Sequence, residues 1–522
     1  SYTTNRVGNE VSTDLNSTNE TAGDRRIYLE AMVDYNRTFG RHDVNAMLLY
    51  NQDELVNNVP GNNLINSLPK RKQGLAGRLS YAYDGKYMAE VNMGYNGSEN
   101  FAKGHRWGFF PSIALGYNIS EESFFEPLRK VITSMKLRGS WGLVGNDQIG
   151  GERFIYMPTI NLSGKGFTTG IDQNYGLSGP VYTRYENNSI TWEVGEKINL
   201  GIDLQLLNSL NIVVDIFRET RRDIFQKKGT IPTYLGTGNT DVFGNLAEMK
   251  NQGLDLSIDY NKAFSKDFYM NFKGTFTYAH NEITKYDEAP KYAFQSKVGQ
   301  SANVSQGYLS NGLFLDEAEI DRYNQQMGST LGAGDIKYLN VSNMHGYGDD
   351  IVDVDDWTWI GNPTVPEIVY GFGPSFKYKN WDFSFFFQGV AKTSLFMSGF
   401  HPFGDNSLRN VLQFVANDRW SPTNQNVDAK YPRLTRKTSL NNTNPGNSGR
   451  TSDYWMRDGS FLKLKNMELG YTFKRMRFYI SGSNLLTFSK FDLWDPEQGG
   501  GSGLKYPTQR VFNVGFQMTF NN

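Results

Sequence analysis

Along this chain, apolar and polar residues alternate at period two in one segment after another. Leu75, Gly77, Leu79, Tyr81 and Tyr83 alternate with Ala76, Arg78, Ser80 and Ala82. An Asp84-Gly85 turn follows, and Tyr87, Ala89, Val91, Met93 and Tyr95 then alternate with Met88, Glu90, Asn92, Gly94 and Asn96. Beyond a polar loop, Trp107, Phe109, Ile113, Leu115 and Tyr117 continue the pattern against Ser112, Ala114, Gly116 and Asn118. Successive side chains on a strand point to opposite faces, so period two with a tight turn means antiparallel hairpins. One face is apolar with aromatic rings near the strand ends, and the other carries charge, amide and glycine. Turned outward to lipid, such a face makes the wall of a transmembrane β-barrel with a polar lumen. The fold class read from the pattern is therefore all-β, a transmembrane antiparallel β-barrel.

The same alternation predicts strands over 27–35, 44–50, 135–143, 192–206, 210–216, 254–260, 268–278, 368–378, 381–390, 461–473, 477–486 and 511–520. A further strand is expected near 153–160, and helical turns around Leu408 to Asn417. The total is about 16 strands by this period-two count. The segment 1–25, rich in Asn, Thr and Ser, reads as a loop. Short turns alternate with connections of tens of residues, which matches short periplasmic turns and long extracellular loops. A soluble domain rarely carries so many long structureless connections. Propeller blades would repeat a fixed signature every 40–50 residues or so, and the hairpins share a pattern without sharing a spelling.

Composition narrows the class. The 522 residues hold 53 Lys+Arg against 54 Asp+Glu, and no basic cluster supports nucleic-acid binding. No apolar run reaches the roughly 18 residues that a spanning helix requires. The 30 Tyr, 35 Phe and 54 Gly suit interface girdles and close strand packing. Absence of cysteine fits an oxidising envelope but carries little weight. Ser1 opens a polar segment rather than a signal peptide, so the expectation is a processed N-terminus or a fragment.

The stretches GRLSYAYDGKYMAEVNMGYNGSENF, MKLRGSWGLVGND, ITWEVGEKINLGIDL, NQGLDLSIDY, WIGNPTVPEIVYGF, FLKLKNMELGYTF, ISGSNLLTFSKFDLWDPE and VFNVGFQMTF, in this order, resemble the C-terminal half of a SusC/RagA-type TonB-dependent outer-membrane transporter. The resemblance runs from about Arg26 onward. It implies that 1–522 is the C-terminal portion of a receptor barrel of about 22 strands, with the plug domain, the TonB-coupling segment and further strands lying before Ser1. It also implies an outer-membrane importer of oligosaccharides, or of oligopeptides, energised by TonB and lidded by a SusD-like lipoprotein. Asn521 and Asn522 follow Phe520 where the family ends on an aromatic residue. The competing classes are a passive porin and a secreted carbohydrate-binding β-protein.

Two sets of candidate site residues follow. Trp357, Trp359, Phe403, Trp420 and Trp455 fall in the expected extracellular loops, where aromatic rings stack on sugar faces and Arg457 supplies hydrogen bonds. Loop packing or contact with the lipoprotein is the stronger reading for each ring taken alone. The loop Asn340 to Asp356 has the acid, amide and glycine content of a Ca²⁺ turn, with Asn343, Asp349, Asp353 and Asp355 as candidate ligands. The EF-hand spacing fails there, and Tyr347 stands where relatives often place an acid, so a solvated acidic loop is the favoured reading. No other cofactor is expected. Arg78, Glu90, Lys136, Arg138, Lys197, Asp203 and Lys273 fall on the polar register and are expected to line the lumen. The histidines His42, His105, His280, His345 and His401 are scattered, and no serine sits on a nucleophile elbow, so no catalytic chemistry is expected.

Overall fold

The computed structural model describes residues 23–58, 64–232, 241–323, 325–326, 331–347, 350–399, 403, 410–436 and 451–520. Segment 1–22, Asp349, His401, Leu408, Asn521 and Asn522 lie outside the described residues.

One antiparallel sheet of fifteen strands, each paired with its sequence neighbours, forms the framework. The strands are β1 (Asp24–Phe39), β2 (His42–Asn57), β3 (Lys70–Tyr83), β4 (Tyr87–Ser98), β5 (Trp107–Asn118), β6 (Ile132–Asn146), β7 (Glu193–Leu206) and β8 (Leu210–Lys227). They continue as β9 (Phe243–Ala263), β10 (Phe268–Lys285), β11 (Ile368–Tyr378), β12 (Trp381–Ala391), β13 (Phe461–Phe473), β14 (Met476–Ser489) and β15 (Val511–Met518). The Asp84-Gly85 turn closes the β3–β4 hairpin with both residues at positive φ, the geometry that matches strand twist and that Asp-Gly tolerates. β1 begins at Asp24, slightly inside the segment read as loop. Several strands also outrun the apolar alternation, β9 reaching 21 residues, because ladder hydrogen bonds continue where the side chains on both faces have become polar.

Register carries the apolar residues of neighbouring strands onto one face. Leu79 pairs with Val91, Val91 with Ile113, Phe383 with Leu469, and Ile480 with Val514. Among the described residues no second layer of protein covers that face: Val91 is 49% exposed, Leu115 is 59% exposed, and Leu79 and Tyr81 are also open. Ile202 and Phe272 are half-exposed. An uncovered apolar sheet face of this extent matches a lipid solvent and no aqueous one. Rings edge it at both rims. Tyr87 stacks on Tyr117 at 5.2 Å and Trp381 packs on Tyr471 at 4.7 Å on the short-turn side, while Tyr95 stacks on Trp107 at 4.8 Å on the long-loop side.

The strand expected near 153–160 is not part of this wall. Thr159–Thr169 pairs with Tyr175–Arg184 as a separate hairpin inside the β6–β7 connection. Of the expected segment only Thr159 and Ile160 fall in a strand; 153–158 are turn and irregular backbone, and their Phe154 and Ile155 are buried rather than alternating across a sheet. The helical turn expected around Leu408 to Asn417 is present as α1 (Gln413–Asn417).

Candidate functional site

The buried core lies in the long connections rather than between sheet layers. Tyr308, Leu313, Ile336 and Tyr338 of the β10–β11 connection pack with Leu395, Met397, Val415, Trp420 and Trp455 of the β12–β13 connection, and with Phe491 of the β14–β15 connection. A smaller core joins Phe101, Phe110, Ile149, Ile155, Ile190 and Trp192. Arg153 clamps the β2–β3 connection to it, donating to the carbonyls of Ile65 (2.8 Å), Leu68 (3.1 Å) and Pro69 (2.9 Å). The long-loop end of the sheet therefore carries folded caps, and the polar face of the wall lies beneath them.

Of the six residues expected to hold a ligand, Phe403, Trp420 and Trp455 come together as a packed interior with Trp357 against it, while Trp359 lies outside that cluster. Trp455 is 0% exposed and sits 5.2 Å from the ring of Phe403, which is itself buried, as is Trp420. Trp357 is half-buried, edge-on to Tyr308 at 5.9 Å, and the half-buried Trp359 donates its indole N–H to the Ser296 carbonyl at 2.8 Å. Arg457 gives its guanidinium to the carbonyls of Tyr454 and Met456, both at 2.8 Å, and burial lowers its pKa. The exposure assumed for these rings is thus corrected: Phe403, Trp420 and Trp455 have no open face for a sugar. Their loops are rich in Asn, Gly and Asp and read as solvated, yet they bury apolar side chains against partners from distant connections.

The acidic loop is also folded into the cap. The Asn340 side chain caps Val341–Met344 by accepting from Asn343 N–H at 2.7 Å. Asp353 caps the turn Val354–Asp356, accepting from Asp355 N–H at 2.8 Å. Asp355 pairs with Lys291, and buried Asp356 accepts from Ser342 N–H at 2.9 Å and Asp353 N–H at 2.8 Å. Burial pushes the Asp356 carboxyl up against those donors. With Asp353 and Asp355 spent on these contacts and Asn343 exposed, the described candidates do not fit a Ca²⁺ cage. Among the described residues no three acid, His or Cys side chains converge. Residues 343–347, 350, 351 and 354 are exposed, as expected of a solvated loop, whereas Asp356 is interior.

On the polar wall, Arg138 grips Asp203 through Nη2 at 2.8 Å and Nε at 3.0 Å, and reaches Asp215 at 3.0 Å. Glu90 accepts from Ser80 at 2.8 Å and Asn92 at 2.9 Å. Lys197 faces Glu219 at 3.7 Å, and Lys273 faces Asp259 at 4.0 Å. The inward charges expected from sequence are thus largely matched across strands.

Sequence reasoning missed an ionic latch at the mouth. Lys463, on the polar register of β13, is 0% exposed and donates to Asp495 Oδ2 and Glu497 Oε2, each at 2.6 Å. Lys465 joins at 2.7 Å from Glu497 Oε1. Burial works to raise both carboxyls, but the lysine hydrogen bonds prevail and hold Asp495 and Glu497 below their ordinary values. A depressed acid stabilises the fold above its unfolded pKa and loses that contribution as pH falls. The 490–510 connection is therefore expected to open below a pH of about 4, seen as rising amide exchange or protease cleavage there.

The family model of the TonB-dependent receptor-like β-barrel matches residues 1–485. The chain belongs to the TonB-dependent receptor β-barrel family. The chain is similar to TonB-dependent receptor P3 of Formosa agariphila, at 25% identity over 98% of this chain and 54% of that protein. It is also similar to TonB-dependent receptor SusC of Bacteroides thetaiotaomicron, at 28% identity over 85% of this chain and 43% of that protein. The chain thus spans about half the length of the curated TonB-dependent receptors it matches. The fold matches the RagAB peptide transporter with a TM-score of 0.70 at 20% identity, covering 95% of this chain and 56% of that one. The outward apolar face is accordingly the lipid face of an outer-membrane β-barrel, and the capped end with long loops is the extracellular one. The family is one of transporters and receptors.

Proposed function

We propose that the full-length protein containing this chain is a TonB-energised outer-membrane importer of oligosaccharides that works with a SusD-like surface lipoprotein. The observation that carries the reading is a polar wall beneath a loop-built cap with its own hydrophobic core. Such an arrangement admits cargo to the lumen only when the cap and the lumen contents rearrange, which calls for an energy source. The outer edges of β1 and β15 have no pairing partner among the described residues. Unpaired backbone groups in hydrocarbon cost several kcal/mol each, which supports further strands of the full-length protein pairing with these edges. A docking surface for the lipoprotein is available in the Thr159–Thr169/Tyr175–Arg184 hairpin, which exposes Leu162, Phe167, Ile171 and Tyr175.

Oligopeptide import is the second reading, favoured by the fold shared with a peptide transporter. A passive porin accords less well with a mouth occupied by packed loops. Uptake of labelled oligosaccharide by cells carrying the full-length protein is expected to fall to background when TonB is deleted. Uptake unchanged by that deletion would overturn active import.

A further inference from the structure

A cleft of about 580 Å³ opens beside the latch, between β12, β13 and the 490–510 connection. It is a place where the packed rings of the cap give way to open polar groups. Gln388, half-buried on the polar face of β12, lines it, and its amide makes no hydrogen bond among the described residues. The Ser398 hydroxyl, also in the lining, likewise makes no hydrogen bond among the described residues. The half-exposed Phe396 ring and the Phe461 ring supply apolar lining, and the backbone of Gly500 forms an edge. Glu497 is the carboxylate of the lining, and Lys463 and Lys465 bind both its oxygens. Asp495 and Glu497 balance those two lysines, so the cleft presents little net charge.

We propose that this cleft is a subsite for one ring of a neutral oligosaccharide. It rests on the import reading above and names the cargo chemistry of that site. A pyranose offers an apolar face of C–H groups and a rim of hydroxyls that both donate and accept. The half-exposed ring of Phe396 matches the first, and the amide of Gln388 with the hydroxyl of Ser398 matches the second. An anionic sugar or an ionised peptide terminus would bring a charge with no free counter-charge to meet it, at a desolvation cost. The latch fixes the floor of the cleft by tying Pro496 and Glu497 to the β13 wall.

The test uses the full-length protein with its lipoprotein in detergent, on an array of neutral oligosaccharides, uronate-containing oligosaccharides and peptides. Neutral glycans are expected to be retained. Gln388→Leu and Phe396→Leu should each weaken that retention roughly tenfold, the worth of one hydrogen bond or stacking contact. Heat-modifiable gel migration confirms that both variants remain folded barrels. Retention of only anionic glycans or peptides, retention of nothing, or neutral-glycan retention indifferent to both substitutions would each overturn the subsite. Because TonB dependence is read separately in cells, peptide retention with TonB-dependent uptake overturns the sugar cleft and leaves active import standing.

Discussion

Asp335→Ala is expected to loosen the larger cap by roughly 3–5 kcal/mol, the usual result of removing one partner from a buried ion pair. Asp335 is 0% exposed, accepts from Gly332 N–H at 3.0 Å, and receives Nε and Nη2 of Arg433, the latter at 3.0 Å. Burial works to lower the pKa of Arg433, but the bond and charge of Asp335 prevail and hold it up. The pair joins the β10–β11 connection to the β12–β13 connection, next to Trp420 and Tyr431 of the same core. Without Asp335 the half-buried guanidinium keeps only the charge of Glu317 nearby and no hydrogen-bonded carboxylate, and the Gly332 N–H loses its acceptor. Amide exchange over 331–338 and 410–433 should rise about a hundredfold or more, while the exchange of β3–β5 stays unchanged. The double change Asp335→Leu with Arg433→Met replaces charge by apolar volume and should recover much of the loss. A single variant no worse than the double would show that the pair does not hold the connections together.

What the sequence discloses about this molecule follows from the range of the interactions involved. The wall is legible because the apolar face of a strand depends on neighbours two residues apart, and the hairpin register follows from short turns such as Asp84-Gly85. Each residue assigned to the outward face of β3, β4 and β5 is found there. The caps are not legible in this way. Asp335 and Arg433 lie 98 residues apart, and Ser310 N–H reaches Asp453 across 143. Nothing local announces those contacts, so Trp455 read as an exposed loop ring when it is the centre of a core. Lys463 sits correctly on the inward register, but its burial depends on two carboxylates 32 and 34 residues further on. The resemblance to SusC-type proteins singles out the DLWDPE stretch that supplies them, without saying what they bind. The unengaged Gln388 stands in an ordinary strand and offers no sequence signal at all.

Val91→Arg is expected to destabilise the barrel by about 2–4 kcal/mol, while Asn92→Arg beside it costs little. The two residues are adjacent on β4 and differ in the face they occupy. Val91 pairs with Leu79 on one side and Ile113 on the other and is open on the outward face. Along that face it lies midway between Tyr87, stacked on Tyr117, and Tyr95, stacked on Trp107. At about 3.4 Å per residue and a tilt near 45°, the Tyr87-to-Tyr95 span rises roughly 19 Å, within an apolar band of about 25 Å, so Val91 marks the midplane. An arginine there must strip its hydration or snorkel past a girdle. Asn92 faces the polar wall and donates to Glu90 at 2.9 Å, so an arginine at 92 keeps a carboxylate within reach. Folding titrations in urea on lipid vesicles, with the full-length protein, would measure both. If Val91→Arg and Asn92→Arg cost the same, the odd-numbered face of β4 does not meet hydrocarbon. In that case the barrel itself, and with it the lumen, the capped mouth and the sugar cleft, loses its physical basis.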